Sequence, residues 1–245
     1  LILYLHLFAE ADGDVNDTEH YKQQAAEHAL YYVQNGMVIG LGSGSTARYM
    51  LIGLSERLRD GRLRDVIGVP TSEATAELAH SLSIPLTTLD EHDQLDVALD
   101  GADEIDPQLN LIKGLGGALL REKIIAASAR QFIVFADQRK LVARLGEHTP
   151  LPVEIIPIAR ALCVRRLAEL GLEPTLRRAD DGSAVYTDEG NLILDCSSTS
   201  FIDSAALNVA IKAIPGVVDH GLFLGIASVA LIVGPSGITT MIRPV

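Results

Sequence analysis

The chain has 245 residues, and its 32 acidic side chains outweigh 20 basic ones to give a formal charge of −12 at pH 7. That balance argues against nucleic acid or an anionic membrane as partner, and it makes any anion site a local exception built from a few cations and backbone amides. With 48% hydrophobic and 21% charged residues and no tryptophan, the composition fits a globular protein with an aliphatic core, long enough for one large domain or two smaller ones.

Leu1–Ala9 is apolar but too short to span a bilayer and lacks a basic leader, so residues 1–18 are given no function. Glu19–Gln34 reads as a helix stopped by Asn35-Gly36. Met37–Leu41 is a short apolar strand, followed by a glycine loop and a helix over 47–59. Strand 66–69, helix 72–82, a weak strand 86–88 and strand 97–99 follow. Leu109–Ile112 reads as a strand ending at Lys113, then come helix 118–129 and strand 132–136. This alternation predicts a Rossmann-like, mostly parallel sheet covered by helices. A boundary falls near Thr149-Pro-Leu-Pro152. Beyond it, strand 153–156, helix 159–170, strands 174–177 and 191–195, helix 204–213 and strand 217–220 predict a smaller ferredoxin-like α+β domain. The apolar strand 228–233 is expected to return to the first sheet. The expected division is therefore 19–148 plus 222–245 for the larger domain and 149–221 for the smaller. Cys163 and Cys196 are far apart with no metal-ligand spacing, as expected of ordinary thiols in a reducing, cytoplasmic compartment.

Three segments carry chemistry. Glycines 40, 42 and 44 stand between a strand and a helix, where a bare backbone turns N–H groups inward. Ser45 and Thr46 add hydroxyls that can also cap the helix. A phosphate cradle, a dinucleotide loop and a plain turn compete for this segment. The lysine of a Walker loop is missing, and Ser45 stands where a dinucleotide fingerprint has its third glycine. The second segment, Asp100-Gly-Ala-Asp103-Glu104-Ile-Asp106, offers carboxylates for sugar hydroxyls, for a metal or for a solvated turn; hydroxyl binding is favoured because the glycine placement does not match a calcium loop. The third is Lys113-Gly-Leu-Gly-Gly leading to Glu122. A lysine at a strand end supplies charge where an oxyanion develops. Glu122 reads either as a surface glutamate near a helix start or as a general base, whose pKa burial would raise and Lys113 would lower. Lys140 and Lys22 are weaker candidates for an anion contact.

Taken together, GLGSGSTA (40–47), SEAT (72–75), DGADEID (100–106), KGLGGALLREKIIA (113–126), FIVFADQRK (132–140), LPVEIIPIA (151–159), GNLILD (190–195) and AIPGVVDHGLF (213–223) resemble ribose-5-phosphate isomerase of the A type. The resemblance runs over about residues 19–235. It implies a cofactor-free and metal-free aldose–ketose isomerase of the pentose phosphate pathway, acting on a small sugar phosphate as a homodimer or homotetramer. Carried over by position, it makes Glu122 the base, Lys113 the oxyanion stabiliser, and Asp100 and Asp103 the groups that bind hydroxyls and assist ring opening. Ser43, Gly44, Ser45, Thr46 and Lys140 would hold the phosphate and sugar end. Gly101, Ala102, Gly114, Leu115 and Gly116 would complete the substrate contacts, and Lys22 would reach the phosphate. Leu115 departs from the family pattern by interrupting the glycine run. A non-catalytic sugar-phosphate sensor and a CoA transferase are the rival readings. The first is opposed by the presence of Glu122, the second by the lysine–glycine loop.

Overall fold

A computed structural model describes residues 15–198 and 203–243. In chain order the elements are α1 (Val15–Ala29), β1 (Val38–Leu41), α2 (Gly44–Arg59), β2 (Ile67–Pro70), α3 (Glu73–Ser81), β3 (Val97–Asp100), β4 (Glu104–Ile105), β5 (Leu111–Ile112), α4 (Leu119–Ser128) and β6 (Phe132–Asp137). They continue as β7 (Leu151–Ile155), α5 (Arg160–Glu169), β8 (Glu173–Leu176), β9 (Leu192–Ser197), α6 (Ser204–Lys212), β10 (Val217–His220), β11 (Leu222–Phe223), β12 (Val229–Gly234) and β13 (Gly237–Ile242).

The main sheet runs β13-β12-β6-β3-β1-β2, and every pairing in it is parallel except the β12–β13 hairpin. Its inner strands are apolar on both faces, as parallel strands covered by helices must be. Ile39, Leu41, Leu99, Ile133 and Phe135 are buried in one core cluster with residues of α1 and α2. Ala98, Val134 and Ala136 are buried with residues of α4 in another. The second sheet, β10-β7-β9-β8, is wholly antiparallel. Its strand order, with α5 and α6 inserted after the first and third strands, is the expected ferredoxin-like arrangement. Among the described residues no helix is long and apolar enough to cross a membrane.

Three expectations need correction. Lys113 does not follow a strand of the parallel sheet: β5 belongs to a separate three-stranded sheet, β11-β5-β4. Leu109, expected in that strand, instead has φ +58° at the end of a turn whose amides at Gln108 and Asn110 are held by Asp106. The segment 86–88 makes only an isolated bridge from Leu86 to Gly68. Helix α2 begins at Gly44 rather than Ala47. Ser45 and Thr46 therefore lie inside its first turn, and Ser43 holds the N-cap position without a side-chain capping bond. Residues 1–14 lie outside the described residues.

Candidate active site

The carboxyl ends of β1 and β3 deliver the glycine loop and the acidic run to one place, as expected where helices flank an open parallel sheet. Gly42 makes their contact possible. A Cβ there would lie 2.2 Å from Asp100 Oδ1 and 2.6 Å from the Leu99 carbonyl, so only a bare backbone lets the loop pass over the end of β3. Asp100 Oδ1 accepts hydrogen bonds from the Ser43 amide at 3.1 Å and the Gly101 amide at 2.7 Å.

Lys113 comes from the small third sheet, and its ammonium sits at the centre of the site. Its Nζ lies 2.9 Å from Asp100 Oδ2 and 3.1 Å from Glu122 Oε1, and it donates to the Gly101 carbonyl at 2.8 Å. All three charged groups are buried: Lys113 is 3% exposed, Asp100 3% and Glu122 6%. The following loop turns through Gly114 at φ +102°, where a side chain would also strike the Leu119 Cβ. This left-handed turn starts α4 early enough to place Glu122 in its first turn, facing the ammonium.

Burial works against charge on every member of this cluster. It raises the Asp100 carboxyl above its ordinary value despite the nearby Lys113. It raises Glu122 to about 7, opposed by the Lys113 charge and assisted by that of Asp100. For Lys113 burial would lower the value, but the surrounding Asp100, Glu122 and Asp103 charges outweigh it and hold the ammonium firmly protonated. One carboxylate oxygen, Glu122 Oε2, is buried with no hydrogen-bond partner among the described residues. Asp100 Oδ2 has the ion pair at 2.9 Å, yet makes no hydrogen bond of good angle among the described residues.

These groups border a cleft of about 610 Å³. Lys113 and Glu122 line it together with Ser43, Gly44, Ser45, Thr46, Gly101, Ala102, Asp103, Gly114, Gly116, Lys22 and Lys140. Two predicted site residues do not line it. Asp100 lies beneath Lys113, its carboxylate drawn inward by the loop amides, and Leu115 projects outward at 39% exposure while its amide donates to Asp103 Oδ2 at 3.0 Å. Lys22 on α1 reaches the cleft while paired to Glu19 at 2.7 Å.

Several lining groups were not anticipated. Ser43 Oγ lies 2.7 Å from Thr71 Oγ1, 2.8 Å from Ser72 Oγ and 2.9 Å from Thr75 Oγ1. This hydroxyl cluster sits at the start of α3, which Ser72 caps by accepting from the Thr75 amide. Arg48 and Arg139 add positive charge beside Lys22 and Lys140, with Arg139 paired to Asp137 at 2.8 Å. Arg139 adjoins Lys140 in sequence and had that signal. Tyr186, Thr187 and Asp188, from the turn between β8 and β9, close another side and had none.

The chain matches the family model of ribose 5-phosphate isomerase A (phosphoriboisomerase A) over residues 67–237. It is 62% identical over 228 residues to the ribose-5-phosphate isomerase A of Roseiflexus castenholzii, covering 93% of this chain and 97% of the relative. It is 47% identical over 225 residues to that of Chloroflexus aurantiacus, covering 92% and 94%. A solved D-ribose-5-phosphate isomerase in complex with phospho-erythronic acid shares its fold with a TM-score of 0.90 at 41% identity, over 92% of this chain and 99% of that one. The Plasmodium falciparum ribose 5-phosphate isomerase gives 0.89 at 39% identity, over 93% and 100%.

Proposed function

We infer the chemistry of this cleft from the family to which the chain belongs, ribose 5-phosphate isomerase A. The protein is an aldose–ketose isomerase that interconverts D-ribose 5-phosphate and D-ribulose 5-phosphate. Glu122 is the base. In the forward direction its carboxylate removes the proton from C2 of the open-chain aldose, and the electron pair moves through C1 onto O1. Lys113 stabilises the negative charge on that oxygen. A proton passes from O2 to O1, and the protonated Glu122 returns its own proton to C1, leaving the carbonyl at C2. One hydrogen has then moved from C2 to C1 and another from O2 to O1, with nothing oxidised or reduced overall.

The observation that carries this reading is the placement of Glu122: buried on the cleft wall, one oxygen 3.1 Å from Lys113 and the other without a partner among the described residues. A carboxyl raised to about 7 is matched to general-base work near neutral pH. Asp100, beneath the ammonium, fixes the position of Lys113. Asp103, with one oxygen held by the Leu115 amide, offers the other to a sugar hydroxyl. Ser43 to Thr46, with Lys22 and Lys140, receive the phosphate at the head of α2, where unpaired amides favour an anion. The phospho-erythronic acid bound by the related isomerase supports this division, since it joins a phosphate to a planar carboxylate resembling an enediolate. Conversion of ribose 5-phosphate to ribulose 5-phosphate by the purified chain, unchanged by EDTA, is the expected result. No turnover, or turnover abolished by EDTA and restored by a metal, would overturn it.

The same reading divides the chain into a catalytic part, 19–148 with 222–245, and a smaller part, 149–221, supported by their separate sheets. A homodimer or homotetramer is the assembly proposed, with exposed Ile158 and Val209 as candidate contacts. The two cysteines, both buried and free, support a cytoplasmic location.

A further inference from the structure

Arg121 stands one residue before Glu122 on α4 and joins three elements. Its Nη1 donates to Glu73 Oε1 at the start of α3 at 2.8 Å and lies 3.6 Å from Asp188 Oδ2, while its Nε donates to Glu189 Oε1. Asp188 also accepts the Glu73 amide at 2.8 Å, which satisfies one of the unpaired donors at the head of α3. From beneath, Glu154 of β7 is fully buried and accepts from Thr187 Oγ1 and Asn191 Nδ2, both at 2.9 Å. The turn that bears Thr187 and Asp188 is therefore fastened from two sides, and both residues line the cleft with Glu122.

We propose that Arg121 is a positioning residue for the isomerisation, holding the 186–189 turn as a wall of the substrate cleft and tying α3 to α4 across it. A guanidinium suits this task because its planar fork reaches several carboxylates at once. The side chains of the network are 29–65% exposed, and ion pairs at such exposure contribute little to folding. Its effect therefore belongs to substrate binding: a wall already in place spares the ordering that closure on the sugar would otherwise require. Through Glu73 the same network meets the turn of α3 whose Ser72 and Thr75 contact Ser43.

The inference rests on the isomerase reading, and steady-state kinetics on ribose 5-phosphate separate the two. Arg121→Met and Asp188→Ala are each expected to raise KM about tenfold with a smaller loss of kcat, and to lower Tm only slightly. Because both cut one network, the double variant should raise KM about as much as either single variant, not about a hundredfold. An unchanged KM in both single variants overturns the proposal, as does multiplication of their effects in the double variant. A fall in kcat with KM unchanged overturns it too, since Arg121 would then act on Glu122 alone. Failure of both single variants to fold would make the network a folding determinant and also overturn it. A wild-type chain with no turnover would sink the isomerase reading itself.

Discussion

Substituting Gln for Glu122 should make the protein more stable at the pH where it works, because the ionised carboxylate is held in a buried site. Its pKa is raised from 4.5 to about 7, with burial as the first cause. A folded-state acid with a raised pKa favours folding most below its unfolded value and loses that contribution as pH rises through the folded value. The difference corresponds to about 3 kcal/mol above pH 7. Gln mimics the neutral acid, and Lys113 keeps Asp100 at 2.9 Å and the Gly101 carbonyl at 2.8 Å, so no unpaired cation offsets the gain. Urea unfolding at pH 8 should show the variant more stable by about 3 kcal/mol, an advantage that falls below about 1 kcal/mol at pH 5. A variant less stable than wild type at pH 8, or an advantage that does not change between pH 5 and pH 8, would refute the assignment of a buried, strained charge to Glu122.

Removing the cation has the opposite effect. Lys113→Met leaves Asp100 and Glu122 buried together without their cation, which should cost about 3–5 kcal/mol at pH 8 and less at pH 5, where Glu122 takes up a proton; equal losses at the two pH values would contradict this. The kcat/KM of the wild-type enzyme, which reports the free enzyme's groups, should rise through a limb centred near pH 7 as Glu122 ionises. The free substrate's phosphate titrates near pH 6, so the informative range lies above it; a flat profile between about pH 6.5 and 8 would contradict the base assignment. Lys140→Ala should raise KM for ribose 5-phosphate with a smaller loss in kcat, and an unchanged KM would remove Lys140 from the phosphate site.

What the sequence disclosed was whatever short-range chemistry encodes. The glycine loop, the acidic run and the path from Lys113 to Glu122 are each contiguous, and each ends or begins a regular element, so their shared crevice could be anticipated. The ferredoxin-like order was legible because four strands and two helices each carry their own periodicity. The sheet of β4, β5 and β11 was not, since two-residue strands leave no alternation to detect. The depth of Asp100 was also hidden: it depends on amides at Ser43 and Gly101 turning its carboxylate inward. Arg121 meets Glu73 and Glu189 across 48 and 68 residues, and nothing local to any of the three marks the meeting. The raised pKa of Glu122 likewise arises from burial that only the packed fold produces.

The central claim is that Glu122 moves the proton, and the turnover of Glu122→Gln on ribose 5-phosphate at pH 8 tests it most directly. A general base contributes about 10²–10⁴-fold, so kcat should fall at least about a hundredfold in a variant that remains folded. Retention of more than about a tenth of wild-type kcat would contradict the account.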